Sequence, residues 1–163
     1  MRRTMEIFIT LAVLAAVLVG CSQGGLMDRM LSPGKLDPID FATLTPPGSP
    51  NTYLVAPPGA TRAAPNEPAP EFDLPAGQLK ARLLAAVDNE PRLEKVWESA
   101  DGLALQFVQR SALMRWPDIV SVKLIDLGGG RSTLAIYSRS VYGYSDLGVN
   151  KARVQRWLAA LKG

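Results

Sequence analysis

The second half of the chain shows two hydrophobic periods. Apolar residues recur at helical spacing over residues 76–87 and again over 150–162, a pattern that predicts two amphipathic helices. Between them lie four strand-like runs, in most of which apolar and polar positions alternate. These runs cover residues 92–98, 103–110, 119–127 and 131–140.

Glycine-containing turns join these runs in two pairs. Asp101-Gly102 suits a tight hairpin turn, and residues 128–130 are all glycine. Strands joined by short turns pair as an antiparallel meander, and helices then pack on one face. We therefore predict a single small α+β domain over residues 76–163, in the order helix, four-stranded antiparallel sheet, helix.

The segment before this domain has a different composition. Residues 22–75 hold 11 of the 13 prolines and have a net charge of −3. Proline fixes φ and interrupts helices and sheet ladders, so residues 21–75 are predicted to form an extended, Pro-rich N-terminal tether. Residues 51–56 within it are open to two interpretations, an edge strand of the domain or apolar linker residues.

The first 20 residues have the pattern of an export signal. Arg2 and Arg3 precede an apolar run over residues 7–19, which is short for a membrane span and typical of a signal peptide. The run ends in Leu18-Val19-Gly20-Cys21, which resembles the bacterial lipobox. We predict that residues 1–20 are removed and that Cys21 carries a diacylglycerol and palmitate. The alternative is an ordinary signal peptide, or an anchor helix, with an incidental cysteine.

A lipid on Cys21 would hold the protein on a membrane at its periplasmic face. One acyl chain binds a membrane marginally and two or more bind firmly, and bacterial lipoproteins carry two or three. Ser22 follows the cysteine, where Asp is the familiar signal for retention in the inner membrane. The outer membrane is therefore favoured over the inner membrane.

Composition excludes several common kinds of chemistry. The chain has no histidine and one cysteine, so it lacks an internal disulfide, a Cys-based zinc site and an imidazole base for Ser-His-Asp or Cys-His catalysis. No glycine-rich phosphate loop opens a helix. We predict neither a cofactor nor a metal.

The densest group of polar residues precedes the second helix. Asn150 is predicted as its N-cap, and Gly148 as a residue whose backbone conformation disfavours a Cβ. Lys151 and Arg153 would then lie in the first turn, where the helix dipole disfavours cations. Asp146 would compensate them, or a bound anion would do so.

Three interpretations of this group follow. It is a structural corner in which Asp146 pairs with Arg139 or Arg153 and caps the helix, a site for an anion or lipid headgroup, or a catalytic site. The candidate ligand-binding or structural cluster consists of Arg110, Asp118, Ser138, Arg139, Ser140, Tyr142, Asp146, Asn150 and Arg153.

The same residues carry a family resemblance. The pattern S-R-S-x-Y-G-Y-S-D-L-G-V-N-x-x-R-V, which begins at Ser138, resembles the signature of the bacterial domain of unknown function 1499. Weaker similarity extends over residues 50–161. The chain departs from the family pattern at Val141, where Arg is common, and at Thr52, where Cys is common. The family has no established activity, so the resemblance implies no mechanism.

These patterns favour a non-enzymatic binding or structural module in the cell envelope. Residues 76–163 have a net charge of +5, which suits contact with an envelope protein or an anionic lipid surface. The alternative is a protein that binds an anionic ligand, or a small hydrolase with Asp118 and Asp146 as its acid and base. Export argues against a nucleic-acid partner.

Overall fold

A computed structural model describes residues 28, 30–34 and 36–162 of the protein. Its regular elements, in chain order, are β1 (Thr52–Ala56), β2 (Glu67–Pro68), α1 (Ala76–Val87), β3 (Leu93–Glu98), β4 (Ala104–Arg110), β5 (Pro117–Gly128), β6 (Arg131–Ser140) and α2 (Val149–Lys162). The predicted leader at residues 1–20 and the predicted lipid attachment at Cys21 lie outside the described residues.

The strands form one mixed sheet in the order β2-β1-β6-β5-β4-β3. β1 and β2 pair in parallel, whereas the other neighbours are antiparallel. The fold is α+β, but the predicted four-stranded antiparallel sheet is wrong, because two further strands extend it beyond β6. Their pairing supplies partners for backbone groups that an edge at β6 would leave open.

β1 comes from the segment predicted to be a tether. It lies between β2 and β6, and its Val55 is opposite Ile136 of β6 and Glu67 of β2. Successive residues of a strand point to opposite faces. Tyr53 and Val55 therefore pack with the helices, while Leu54 faces the other side.

The main core lies between the sheet and the two helices. Leu79 and Leu83 of α1 and Trp157 of α2 are buried against the sheet. Phe107 of β4 meets Trp157 edge to face, with ring centroids 5.6 Å apart and planes at 81°, an arrangement that aromatic pairs favour. Packing of both helices on one face agrees with the amphipathic patterns.

A second, smaller core covers the other face of the sheet. Phe41 is buried there against Leu54, Ala135 and Tyr137, and Ile39 packs at its margin. Residues near 40 thus form an irregular layer over the sheet. Within the described part of the chain, no helix has the length and apolar character that crossing a bilayer requires.

Candidate functional site

Polar residues close one end of the core between the sheet and α2. In β4 the alternation that buries Leu105 and Phe107 also directs Gln109 toward the helices. The strand register places Asp118 of β5 between Gln109 of β4 on one side and Ser140 of β6 on the other. Three neighbouring strands thus present polar side chains to the first turn of α2.

Arg153 of α2 is the centre of this group. It is 4% exposed, and its Nη2 donates to Oδ2 of Asp118 at 2.6 Å. Its Nε donates to Oε1 of Gln109, and its Nη1 donates to Ser138 and Asn150 at 2.9 and 2.7 Å. A buried guanidinium needs such partners, because its desolvation is costly.

Asn150 joins α2 to the chain before β1. Its Nδ2 donates to the backbone oxygen of Asn51 at 3.0 Å, to Oγ of Ser140 at 3.0 Å and to Asp146 at 2.7 Å. Its Oδ1 accepts from Ser138 and Arg153. The prediction that Asn150 is the N-cap is wrong, because the helix begins at Val149 and this side chain points into the core.

Asp146 supplies the cap instead. Its carboxylate accepts the backbone N–H of Gly148 at 3.0 Å and that of Asn150 at 2.6 Å. A carboxylate here satisfies open backbone donors and opposes the positive end of the helix dipole. Gly148 has φ of +83°, a left-handed conformation that favours glycine.

The hydrogen bonds continue from Gln109 to the loop after α1. Nε2 of Gln109 donates to Glu90 and to the backbone oxygen of Pro91, both at 3.1 Å. Arg156 donates to both carboxylate oxygens of Glu90 at 2.8 Å. This bond from Arg156 lowers the pKa of Glu90 in spite of its partial burial.

An open groove lies beside this network. Its volume is about 770 Å³, and it runs between α2, the end of α1 and the loop after β4. The charged residues along it are Glu90, Arg92, Arg110, Asp118, Arg153 and Arg156. The groove therefore has more cationic than anionic side chains.

The structure brings together six of the nine predicted cluster residues. These are Asp118, Ser138, Ser140, Asp146, Asn150 and Arg153. They form the hydrogen-bonded corner that was one of the three interpretations, although Arg153 pairs with Asp118 and not with Asp146.

The other three predicted residues lie apart from the network. Arg110 donates to the backbone oxygens of Leu31 and Arg115. Arg139 lines a separate groove with Tyr137 and Thr52. Tyr142 is partly exposed, and its hydroxyl donates to the backbone oxygen of Ser32.

Sequence reasoning missed four participants: Asn51, Gln109, Glu90 and Arg156. Gln109 follows Leu105 and Phe107 at period two, so alternation alone would have placed it on the helix-facing side. Asn51 and Glu90 lie in connecting segments, and no local pattern indicates their contacts. Among the described residues, no group of three or more His, Cys, Asp or Glu side chains could hold a metal ion.

Comparison with protein families gives one match. The family model described as a protein of unknown function, DUF1499, matches residues 44–161. That span includes all six strands and nearly all of α2, and it contains every residue of the buried network. No protein with a curated description matches the chain.

Proposed function

The chain belongs to the DUF1499 family of proteins of unknown function, and for this member we propose the role of a cell-envelope lipoprotein with a non-enzymatic folded module. A lipid on Cys21 would hold the module at the periplasmic face of a membrane. The module would serve as a structural or binding element there.

The burial of the polar network carries the non-enzymatic part of this proposal. Asn150 and Arg153 are 1% and 4% exposed, and their polar atoms are bonded to the sheet and to each other. Arg153 also borders the open groove, but each of its guanidinium nitrogens already donates to a side chain of the protein. Such an arrangement suits a structural joint.

The two carboxylates proposed for hydrolysis have other roles in this arrangement. Asp118 pairs with Arg153, and the carboxylate of Asp146 caps α2. A general acid or base must present its carboxyl group to the reacting atoms. This use of both groups supports a structural role for them.

The test of the non-enzymatic module is complementation of a deletion strain. Asp118→Asn and Asp146→Asn remove the negative charges but keep the side-chain shapes. We expect each variant that keeps a native circular dichroism spectrum to complement as well as the wild type. A natively folded Asp118→Asn protein that fails to complement would support the hydrolase instead.

The lipid anchor is tested separately by labelling. The short apolar run before Leu18-Val19-Gly20-Cys21 supports lipidation of Cys21. Labelled palmitate should enter the full chain and should be absent from Cys21→Ala, with Ser22→Ala as the matched control. Equal labelling of the Cys21→Ala chain would contradict the anchor.

The groove supports a second candidate, the binding of an anionic envelope component. Four arginines and two carboxylates line it, and Arg92 lies at its exposed margin. Titration calorimetry with inorganic phosphate tests this function. Binding that weakens with added salt and in Arg92→Ala is the expected result. The absence of heat at two well-separated temperatures would exclude phosphate as the ligand, because a binding enthalpy that is zero at one temperature differs from zero at another.

A further inference from the structure

Exposed apolar side chains are concentrated at one end of the molecule. The described residues include nine large hydrophobic side chains that are exposed. Leu127 lies beside the hairpin between β5 and β6. The other eight are Met30, Leu113, Met114, Trp116, Tyr142, Tyr144, Leu147 and Val149.

These eight residues belong to three segments that contact one another. Val141 donates its backbone N–H to Pro117 at 3.2 Å, which joins residues 141–149 to the loop at 111–116. Tyr142 donates to the backbone oxygen of Ser32 at 2.8 Å. We call these two loops, together with residues 28 and 30–34, the loop end.

The backbone of the loop end also holds unusual conformations. Leu147 has φ of +53° and is 95% exposed. Leucine adopts left-handed φ at a conformational cost, whereas glycine or asparagine adopts it readily. A side chain held outward at such a cost, without packing on its own domain, indicates that an external surface receives it.

The N-terminal segment is attached at this same end. Asp28 accepts two hydrogen bonds from Arg115, at 3.0 and 2.8 Å. The interaction with Arg115 also lowers the pKa of Asp28, so the pair is charged at neutral pH. Six residues, 22–27, lie between Cys21 and Asp28, and the seven Cα–Cα steps of that connection span at most about 25 Å.

This short connection restricts which end of the domain can face a bilayer. The 12-residue strand β5 runs from the loop end to the opposite hairpin, a distance of roughly 35–40 Å at the rise of a strand. The connection from Asp28 to Cys21 is shorter than β5, so a lipid on Cys21 cannot be placed at the opposite hairpin. The anchor therefore keeps the loop end nearer to the membrane than the opposite hairpin.

The chemistry of the loop end fits the interface of a bilayer. Trp and Tyr side chains favour the headgroup region, where one part of the ring is apolar and another is wet. Two guanidinium groups, those of Arg110 and Arg115, share the carboxylate of Asp28, and Asp146 adds a second negative charge at the loop end. These four charges sum to zero, so the apolar and aromatic side chains carry the contact with the bilayer.

From these observations we propose that the loop end is a membrane-docking surface. It lies on the bilayer that holds the anchor, with Leu147 and Leu113 in the apolar margin and Trp116 at the headgroup level. The module is then held on the membrane in one orientation. This inference rests on the lipid anchor of the proposed function.

Quenching of tryptophan by brominated lipid tests the surface. The full, lipidated chain is reconstituted in vesicles of phosphatidylcholine with a minority of phosphatidylglycerol, with and without bromine on the acyl chains. Trp116 is about half exposed at the loop end, whereas Trp157 is buried. We expect brominated lipid to quench the wild-type emission, and Trp116→Phe to lose at least half of that quenching.

Matched variants then separate the loop end from the rest of the surface. Leu147→Asp should reduce the quenching of Trp116 at least two-fold, whereas Leu127→Asp at the opposite hairpin should leave it unchanged. Equal effects of the two variants would overturn the docking surface. So would a Trp116 that lipid leaves unquenched but that native envelope membranes shield from acrylamide, because a protein would then cover it.

Palmitate labelling of the same chain separates the two proposals. A labelled chain with an unquenched Trp116 overturns the docking surface and leaves the anchor in place. A chain that takes up no label at Cys21 overturns the anchor, and the orientation argument is overturned with it.

Discussion

At the scale of single residues, Arg153 joins α2 to the sheet. Its side chain is 5% exposed and that of Asp118 is 14% exposed, so replacing the arginine leaves a largely buried carboxylate without its partner. We predict that Arg153→Met lowers the free energy of unfolding by about 3 kcal/mol. Urea denaturation of both proteins measures this difference.

Arg131 provides the control for that measurement. It pairs with Glu71, and the two side chains are 53% and 62% exposed. Exposed ion pairs contribute about 0–1 kcal/mol, so Arg131→Met should change stability little. Similar losses in the two variants would contradict a special role for Arg153. Asp118→Leu in the Arg153→Met background should restore part of the stability.

The cap of α2 gives a second prediction at this scale. Asp146→Ala removes the acceptor for the backbone N–H groups of Gly148 and Asn150. The free energy of unfolding should fall by about 1 kcal/mol. Ser145→Ala is the control, because Ser145 is exposed and its hydroxyl accepts only a long bond from Leu147. An unchanged urea midpoint for Asp146→Ala would contradict the cap.

The sequence predicted part of the hydrogen-bonded corner at the start of α2. A carboxylate was expected to compensate the cations at the start of α2, and Asp146 lies at that position. The roles of Asn150 and Arg153 depend on residues far away along the chain, such as Asn51, whose backbone oxygen accepts from Asn150 across 99 positions. Local rules for helix ends contain no information about such partners.

At the scale of elements, an ion pair between Lys80 of α1 and Glu98 attaches the helix to the edge strand β3, and Lys95 of β3 shares the same carboxylate. Oε1 of Glu98 lies 2.6 Å from Nζ of Lys80, and Oε2 lies 2.6 Å from Nζ of Lys95. The hydrogen bond from Lys80, followed by that from Lys95, lowers the pKa of Glu98 from 4.5 to about 2.

The lowered pKa predicts a pH dependence of stability. The folded state binds the proton of Glu98 more weakly than the unfolded state does, so this contribution is complete above pH 4.5 and disappears as the pH falls toward about 2. The wild type should therefore unfold at higher urea than Glu98→Gln above this interval. The two urea midpoints should converge within it, and a difference that stays constant would contradict the ion pairs.

Elements were easier to predict than their pairing. The first helix was expected over residues 76–87 and is found at Ala76–Val87, because its apolar stripe lies within one continuous stretch. β2 comprises only Glu67 and Pro68, too few residues for any period to show. Its parallel pairing with β1 depends on a crossover connection over residues 57–66, and no short turn motif predicts such a connection.

At the scale of the whole molecule, the sheet needs cover on both faces. The helices cover one face, as their amphipathic patterns predicted. The cover of the other face comes from a Pro-rich segment that composition presents as an extended tether. Composition fails here because a few apolar residues, Phe41 among them, are enough to bury the small area around Leu54 and Tyr137.

Phe41 allows a direct test of that second layer. It is 3% exposed and lies outside every helix and strand of the described residues. If residues near 40 were part of a free tether, Phe41 could be replaced without any effect on stability. If the layer is part of the folded module, Phe41→Ala leaves a cavity over the sheet and should lower the free energy of unfolding by about 3–4 kcal/mol. Tyr144→Ala, which truncates a side chain that is 75% exposed, should change it by less than about 0.5 kcal/mol. Urea denaturation of the two variants distinguishes these cases, since equal midpoints would mean that residues near 40 act only as a connection.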